Sequence, residues 1–222
     1  MIVVNKAKNE LFVDGVIGAD WTGEGITASA VSDALESLNG NRATVRINSP
    51  GGSADEGVAI YNTLKRYSGG IDTVNEALAA SAASVIFLAG ENRIMSSGSR
   101  VMIHRALTIE IGNADRMRKT ADVLESYDKS LVEIYSQFMS DSEDSILALL
   151  SAETWYNAED AVSSGLATAK ESRKSSAKAA MAAWFKNPPE DIALSSTRRD
   201  LVRSRLAFAI NSNSKNLTAK KK

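Results

Sequence analysis

The sequence predicts an α/β domain built on a mostly parallel sheet with helices on both faces. Segments with strand patterns and segments with helix patterns alternate along the first 90 residues. Such alternation joins parallel strands through right-handed crossovers and covers both sides of the sheet. The chain has 222 residues, of which 44% are hydrophobic, so it is long and apolar enough to bury a substantial core.

Each element is predicted from its own pattern. Alternating apolar and polar residues predict a strand at 44–48, whereas Thr27 and the pair Ile26 and Val31 are typical of a capped and stapled helix start. The predicted strands are two short pieces within 11–18 around the turn Asp14-Gly15, then 44–48, 71–74, 93–95 and 100–104. The predicted helices cover 27–38, the region from 54 to the glycines at 69–70, the apolar run after Ser81, 113–139, 142–150 and 157–165.

The long helix at 113–139 has apolar residues spaced for one buried face. They are Val123, Tyr127, Leu131, Ile134 and Phe138. We therefore expect this face to be core.

Composition excludes several kinds of site. The chain has no cysteine and one histidine, so disulfides, thiolate metal sites and multi-histidine metal centres are excluded. No apolar run approaches the roughly 20 residues of a membrane span, and the start of the chain lacks a secretion-signal pattern. We expect a cytoplasmic protein with no membrane partner and no cofactor.

Charge divides the chain into an acidic body and a basic tail. Residues 170–222 contain 13 Lys and Arg against 4 Asp and Glu, whereas residues 1–169 contain 13 against 23. We predict a folded domain at 1–169 and a Lys/Ser/Ala-rich extension at 170–222, poorly ordered or with short helices at 178–186 and 196–210. A solvated chain end explains the basic charge best, so nucleic acid is not an expected partner.

Ser81 stands where a polar strand end meets an apolar helical run rich in alanine. A hydroxyl at the first turn of a helix lies near free backbone N–H groups, which can stabilise developing negative charge. A tightly packed Ala/Ser helix has the same pattern. The residues alone therefore allow either a nucleophile or a packing serine.

A nucleophilic serine needs a general base, and the only histidine, His104, falls at a predicted strand end. Carboxyl ends of parallel strands share one edge of the sheet, where ligands gather. The loop Ser49-Pro-Gly-Gly-Ser53 also follows a strand, and its glycines allow close approach of a substrate backbone. A histidine satisfied in the core and an ordinary turn are the alternative interpretations.

Five motifs, in order, resemble the ClpP serine peptidases over roughly residues 11–169. They are 47–52 (INSPGG), 57–61 (GVAIY), 79–81 (AAS), 99–104 (SRVMIH) and 158–166 (AEDAVSSGL). The resemblance implies a ClpP/crotonase-like fold and stacked homo-oligomeric rings in which the long helix interdigitates. It implies an ATP-independent or ATPase-assisted serine endopeptidase acting on protein substrates.

The same resemblance implies roles for individual residues. Ser81 would be the nucleophile and His104 the general base, with the N–H groups of Gly52 and Ala82 as the oxyanion hole. Substrate would lie extended between the Gly51-Gly52 loop and the segment Ile109, Glu110 and Ile111. Ser84 would be a nearby decoy.

The third catalytic residue departs from the family pattern, because Glu153 stands where housekeeping ClpP subunits have aspartate. Glu153-Thr-Trp155, followed by an Ala-Glu-x-Ala helix, is similar to the ClpP-related head maturation proteases of tailed phages. The segment before Leu11 does not resemble ClpP axial loops, and the basic extension is foreign to housekeeping subunits. These features favour a prohead protease cleaving scaffold or capsid precursors without an ATPase.

Three alternatives remain open from the sequence. One is a housekeeping ClpP subunit that works with an ATPase unfoldase. Another is a crotonase-like acyl-CoA enzyme, which would need an oxyanion hole but not a Ser/His pair. The third is a structural or scaffold-binding module with a vestigial site.

Overall fold

A computed structural model describes residues 1–19 and 25–171. The strands are β1 (Ile2–Asn5), β2 (Glu10–Asp14), β3 (Gly18–Ala19), β4 (Gly25–Ile26), β5 (Ala43–Ser49), β6 (Ile71–Ala80), β7 (Asn92–Met95), β8 (Arg100–Ile103), β9 (Thr154–Tyr156) and β10 (Ala169–Lys170). The helices are α1 (Ala28–Glu36), α2 (Ala54–Arg66), α3 (Ala82–Phe87), α4 (Ala114–Ser136), α5 (Glu143–Ser151) and α6 (Ala158–Ser163).

The predicted parallel sheet is confirmed at the centre of the fold. Strands pair in the order β1-β2-β5-β6-β7-β10, and β8 pairs with β6. All of these pairs are parallel except β1 with β2, and β9 joins β8 in an antiparallel pair. The two antiparallel edge strands, β1 and β9, were not predicted, because each is short and has no clear alternation.

Capping side chains start the helices where the sequence predicts. Thr27 Oγ1 accepts the N–H of Ala30 at 3.2 Å, and Asn157 Oδ1 accepts two N–H groups of α6. Asn113 caps α4 in the same way. Each cap satisfies backbone donors that the first turn leaves free.

Strand β6 is longer than the predicted 71–74 and continues to Ala80. Its first half pairs with β5 and β7, whereas Leu78–Ala80 pair with β8. A register shift relative to β5 lies between Ile47 and Ser49. Irregularities of this kind bend a strand, so one strand serves two neighbours and delivers Ser81 to the edge shared with β8.

Helix α3 explains the run of small residues around Ser81. All six of its residues, Ala82 to Phe87, are buried. A Cβ on Gly57 of α2 would lie only 2.9 Å from the Cβ of Ala82, so α2 and α3 pack backbone to backbone. The packing interpretation of this stretch is therefore correct for α3, and it does not exclude a nucleophile at Ser81.

The prediction of one buried face along α4 is only half right. Its buried residues are Asp128, Val132, Ile134 and Tyr135, whereas Val123 is 54% exposed. No residue of α4 before Asp128 is buried. The apolar residues do have the spacing of one helix face. However, the first turns of α4 are exposed among the described residues, so no helix or strand buries them.

Strand β10 pairs with β7, and the N–H of Glu171 donates to the carbonyl of Met95 at 2.9 Å. The folded body therefore continues to Glu171. The predicted basic extension thus loses its first two residues to the folded body, and the rest of it, with its two predicted helices, lies outside the described residues. Among the helices that are described, none is both long and apolar enough to cross a membrane.

Candidate active site

Ser81 occupies a strained turn between β6 and α3. Its backbone has φ 54° and ψ −126°, a conformation that residues other than glycine rarely adopt. The turn is held by the Ser81 N–H, which donates to Met102 O at 2.9 Å, and by the Ser81 carbonyl, which accepts from Ser84 N at 2.9 Å. Strain of this kind persists only where neighbouring contacts enforce it, and it presents the hydroxyl at the end of the strand.

His104 follows β8 and lies directly beside Ser81. Strands β6 and β8 are parallel neighbours, so their last residues, Ala80 and Ile103, lie at the same edge of the sheet. The His104 Nε2 atom lies 2.7 Å from Ser81 Oγ, which is hydrogen-bond distance. The structure therefore brings these two residues into the geometry that a nucleophile and its base require.

The Gly51-Gly52 loop is pinned against the same site. The N–H of Ile17 donates to Gly51 O at 2.8 Å, and the N–H of Ser53 donates to Ile17 O at 2.9 Å. A Cβ on Gly51 would lie 2.7 Å from the Ser81 Cβ, and a Cβ on Gly52 would collide with the Ile17 carbonyl. Only glycine at both positions lets the loop fit between Ile17 and Ser81.

The N–H groups of Gly52 and Ala82 have no acceptor among residues 1–19 and 25–171. Neither donates a hydrogen bond within the part of the chain that the structure describes. Both residues line the same cleft as Ser81 and His104. The residues expected to form an oxyanion hole are thus at the site with unused donors.

Glu153 is at the site but does not bond to His104. It lines the cleft, yet its Oε1 accepts the indole N–H of Trp155 at 3.2 Å. Its backbone has φ 51°, in the left-handed region, at the turn between α5 and β9. Among the described contacts, no hydrogen bond joins this carboxylate to the imidazole of His104. Of the three expected catalytic residues, only Ser81 and His104 are therefore bonded to each other.

The expected substrate-binding segment is only partly placed at the cleft. Glu110 lines it, whereas Ile109 and Ile111 do not and are 92% and 85% exposed. No strand forms between Ile103 and Ala114, so the extended edge implied by the family pattern is absent from this described segment. Glu110 instead accepts from Arg116 Nε at 2.8 Å.

The cleft has a volume of about 830 Å³, and part of its wall is apolar. Residues that contribute to this wall are Val85, Met102, Leu124, Leu131 and Tyr135. At the rim, Tyr127 Oη donates to Asp55 Oδ1 at 2.9 Å, which links α4 to the first turn of α2. This hydrogen bond to a carboxylate raises the pKa of Tyr127 above its ordinary value.

Three residues near the site, Ser84, Tyr135 and Asp128, were not assigned a supporting role from the sequence. Ser84 Oγ lies 2.6 Å from Tyr135 Oη and donates to Ser81 O at 2.5 Å, and burial raises the pKa of the Tyr135 phenol. Asp128 is a buried carboxylate bonded to the residues that follow His104. Its only signal in the sequence is its place within the apolar stripe of Leu124, Leu131 and Tyr135.

Comparison with known proteins identifies the family. The family model described as Clp protease matches residues 23–169, which is well over half of the chain. The chain belongs to the Clp protease family.

Relatives of this Clp protease chain include proteins named ATP-dependent Clp protease proteolytic subunit. One from Bacteroides fragilis is 33% identical over 135 residues, covering 60% of this chain and 65% of that protein. One from Bacteroides thetaiotaomicron is 29% identical over 164 residues, covering 71% and 74%. The chain spans less than two thirds of the length of the first Bacteroides fragilis relatives, at 65% and 61%.

A solved structure supports the fold. A point mutant of ClpP1 from Listeria monocytogenes superimposes with a TM-score of 0.65 at 22% identity, covering 76% of this chain and 94% of that one. The expected ClpP fold is therefore confirmed.

Proposed function

We propose that this Clp protease chain is a serine endopeptidase that works through an acyl-enzyme. The observation that supports this most directly is the 2.7 Å separation of Ser81 Oγ and His104 Nε2. Membership in the Clp protease family supports the same reaction class. An acyl-CoA enzyme on a related scaffold would not need this pair, so the geometry favours the peptidase.

In the proposed reaction, Ser81 Oγ attacks the carbonyl carbon of a peptide bond while its proton passes to His104 Nε2. The N–H groups of Gly52 and Ala82 bind the oxygen that becomes negative. As the tetrahedral intermediate collapses, the C–N bond breaks and the leaving amine takes the proton from His104. Water then attacks the ester, aided by the same imidazole, and releases Ser81.

Glu153 is proposed to orient His104 through the second ring nitrogen. A base that takes the Ser81 proton at Nε2 has its own proton at Nδ1, and a carboxylate there stabilises the resulting imidazolium. Glu153 lines the cleft on which His104 lies, which supports the assignment. It requires one oxygen of the Glu153 carboxylate to reach His104 Nδ1, a bond that is not among the described contacts, in which Oε1 accepts from Trp155.

Labelling with a fluorophosphonate probe, followed by peptide mapping, tests the nucleophile. We expect label on Ser81 in the wild type and in Ser84→Ala, and none in Ser81→Ala. Ser84→Ala is the matched control because Ser84 Oγ is a buried hydroxyl one helical turn away. Label on Ser84, or an unlabelled wild type in its assembled form, would refute the proposal.

We further propose that the substrates are scaffold or capsid precursors in an assembling phage prohead, cleaved without ATP in the host cytoplasm. The Glu153-Thr-Trp155 pattern and the basic extension support this narrower role. Co-expression with a major capsid precursor and scaffold from a tailed phage tests it. We expect discrete cleavage products with wild type and intact precursors with Ser81→Ala, and intact precursors in both would count against it.

An ATP-dependent subunit is the second candidate, favoured by the names of the Bacteroides relatives. The discriminating measurement is degradation of a folded, tagged substrate with and without an added unfoldase and ATP. Degradation only in the complete mixture would support this candidate over the prohead protease.

The assembly is proposed to be a homo-oligomeric ring or a pair of stacked rings. Exposed apolar residues in and before α4 support it, because a single chain leaves them in water. They are Leu107, Ile109, Ile111, Met117 and Val123. Sedimentation should show a smaller species for Val123→Asp than for wild type, whereas Asp122→Asn, next to it on the same helix, should keep the wild-type mass.

A further inference from the structure

Asp128 is a buried acidic residue that the proposed reaction does not use. It lies in the second half of α4, and its side chain is only 3% exposed. Removing a carboxylate from water is costly unless its oxygens are paired and hydrogen-bonded. A carboxylate buried at such a cost, on a helix whose neighbouring residues line the cleft, therefore requires an explanation.

Both oxygens of Asp128 bond to the two residues that follow His104. Oδ2 accepts from the Arg105 guanidinium Nε at 2.6 Å, and Oδ1 accepts from the backbone N–H of Ala106 at 2.8 Å. The Arg105 N–H in turn donates to Leu150 O, at the end of α5, at 3.2 Å. The chain leaving His104 is thus clamped between α4 and α5.

This clamp acts where regular structure stops. Strand β8 ends at Ile103, and no helix or strand follows until Ala114, so no ladder of backbone hydrogen bonds directs the chain between them. His104 is the first residue of this irregular segment. Ala106, Leu107, Thr108 and Glu110 line the same cleft as Ser81.

We propose that Asp128 is a positioning residue that, through Arg105 and Ala106, holds His104 against Ser81 and sets the part of the cleft wall that begins at Ala106. The catalytic part of this inference rests on the proposed serine peptidase function. The geometric part concerns only the position of the imidazole and can be measured without catalysis.

The histidine ring provides that independent measurement, because the chain has one histidine. A protein labelled with ¹³C at histidine Cε1 gives a single ring resonance, which reports the surroundings of His104. Asp128→Asn keeps the size of the side chain and one oxygen for the Ala106 N–H but loses the ion pair with Arg105. Asp128→Ala loses both bonds, whereas Asp122→Asn alters an exposed acid on the same helix and is the matched control.

We expect the His104 resonance to shift or broaden in Asp128→Asn and more in Asp128→Ala, and to stay unchanged in Asp122→Asn. Activity is measured as kcat and KM for a short peptide, per Ser81 titrated with the fluorophosphonate. Because misplacing a catalytic group by about 1 Å costs roughly 10²-fold, we expect kcat to fall about tenfold to a hundredfold. A purely structural role would lower the titratable fraction and leave kcat per site unchanged.

An unchanged ring resonance in both Asp128 variants would overturn the proposal, whether or not the wild type is a peptidase. The resonance could change in the Asp128 variants while the fluorophosphonate never labels the wild type. That result would support the positioning role and refute the proposed function. Normal kcat per titrated site despite a changed resonance would overturn the catalytic part. If Asp128→Ala fails to fold, Asp128→Asn and Arg105→Ala provide the same comparison.

Discussion

The indole N–H of Trp155 donates to Glu153 Oε1 at 3.2 Å, so the carboxylate expected to orient His104 is bonded to its own neighbour. Trp155 is 47% exposed, and a half-exposed hydrogen bond contributes only about 0.5–1.5 kcal/mol. Such a contact can hold Glu153 in a resting position and still release it.

Trp155→Phe should therefore raise turnover. The change removes the indole donor but keeps an aromatic ring, so Glu153 Oε1 loses its described partner. We expect kcat per titrated Ser81 to rise about threefold to tenfold, which corresponds to the free energy of one such hydrogen bond. Tyr67→Phe, which removes an aromatic donor that bonds to Asn41 O, should leave kcat unchanged.

Glu153→Gln in the Trp155→Phe background completes the test. If the carboxylate orients His104, its loss should lower kcat by about 10²- to 10⁴-fold, as loss of an orienting carboxylate does in other triads. Glu133→Gln, at an exposed position of α4, is the control. Near-normal kcat in the double variant would mean that Glu153 has no catalytic role.

Ser81→Gly should unfold at a higher temperature than Ser81→Ala. Both remove the hydroxyl, but the backbone at φ 54° and ψ −126° costs about 1–3 kcal/mol for a residue with a Cβ. Glycine avoids this strain and loses about 0.5–1 kcal/mol through the entropy of the unfolded chain. Differential scanning calorimetry on the two inactive variants measures the difference, and equal or reversed Tm values would argue against a strained turn.

Gly51→Ala should abolish labelling at Ser81 or slow it strongly, while Gly98→Ala should not. Both glycines have positive φ, at 96° and 85°, so alanine is strained at either position. A Cβ on Gly51 would lie 2.7 Å from Ala80 O and from the Ser81 Cβ, whereas one on Gly98 would meet nothing within 4 Å. The comparison separates backbone strain from displacement of the loop beside Ser81.

We expect labelling of Gly51→Ala to slow by at least about tenfold, since the proposed oxyanion donor of Gly52 moves with the loop. Both variants should lose stability from backbone strain, and Gly51→Ala should lose more in urea unfolding because its Cβ also meets Ala80 O. Equal labelling rates would show that the loop position does not matter for the reaction.

Acid should destabilise the sheet partly through Asp72. Arg42 donates to both Asp72 oxygens at 2.6 and 2.9 Å, and this bonding lowers the pKa of Asp72 below its ordinary value. Because the pKa of Asp72 is lower in the folded state, the Asp72–Arg42 ion pair stabilises the fold above about pH 4. This stabilisation is lost as the pH falls through the lower folded-state pKa. The unfolded chain binds the proton first.

Asp72→Asn should therefore lower Tm by about 1–3 °C at pH 7 and flatten the fall of Tm below pH 4. Thermal unfolding from pH 7 to pH 2.5 measures both effects. Asp122→Asn should keep the wild-type acid profile, and a parallel profile for Asp72→Asn would contradict the assignment.

Local patterns were sufficient for much of the fold. The cap at Thr27, the alternation at 44–48 and the glycine turns depend on neighbouring residues, so the sequence predicts them directly. The long course of β6 was missed because Asn75 and Glu76 interrupt its apolar pattern. Asn75 is nevertheless buried and donates to Arg100 O at 2.8 Å, a contact with a residue 25 positions away.

The residues of the candidate site also fall into those that local patterns predict and those that depend on tertiary contacts. Ser81, His104 and the two glycines could be predicted, because each stands at a strand end and parallel strands bring those ends together. Asp128 could not, since its role depends on α4 lying against the chain after His104. The orientation of the Glu153 carboxylate also depends on a choice between two partners that no local pattern decides.

By itself, the sequence determined the α/β class, the parallel core, the order of elements and the meeting of Ser81 with His104 at one edge of the sheet. The tertiary structure decided which half of α4 is buried, which partner Glu153 holds and which buried acid braces the chain beside His104. The physical reason is that periodicity and capping act within a few residues. Burial of a helix face and pairing of a charge depend on what another element places against it.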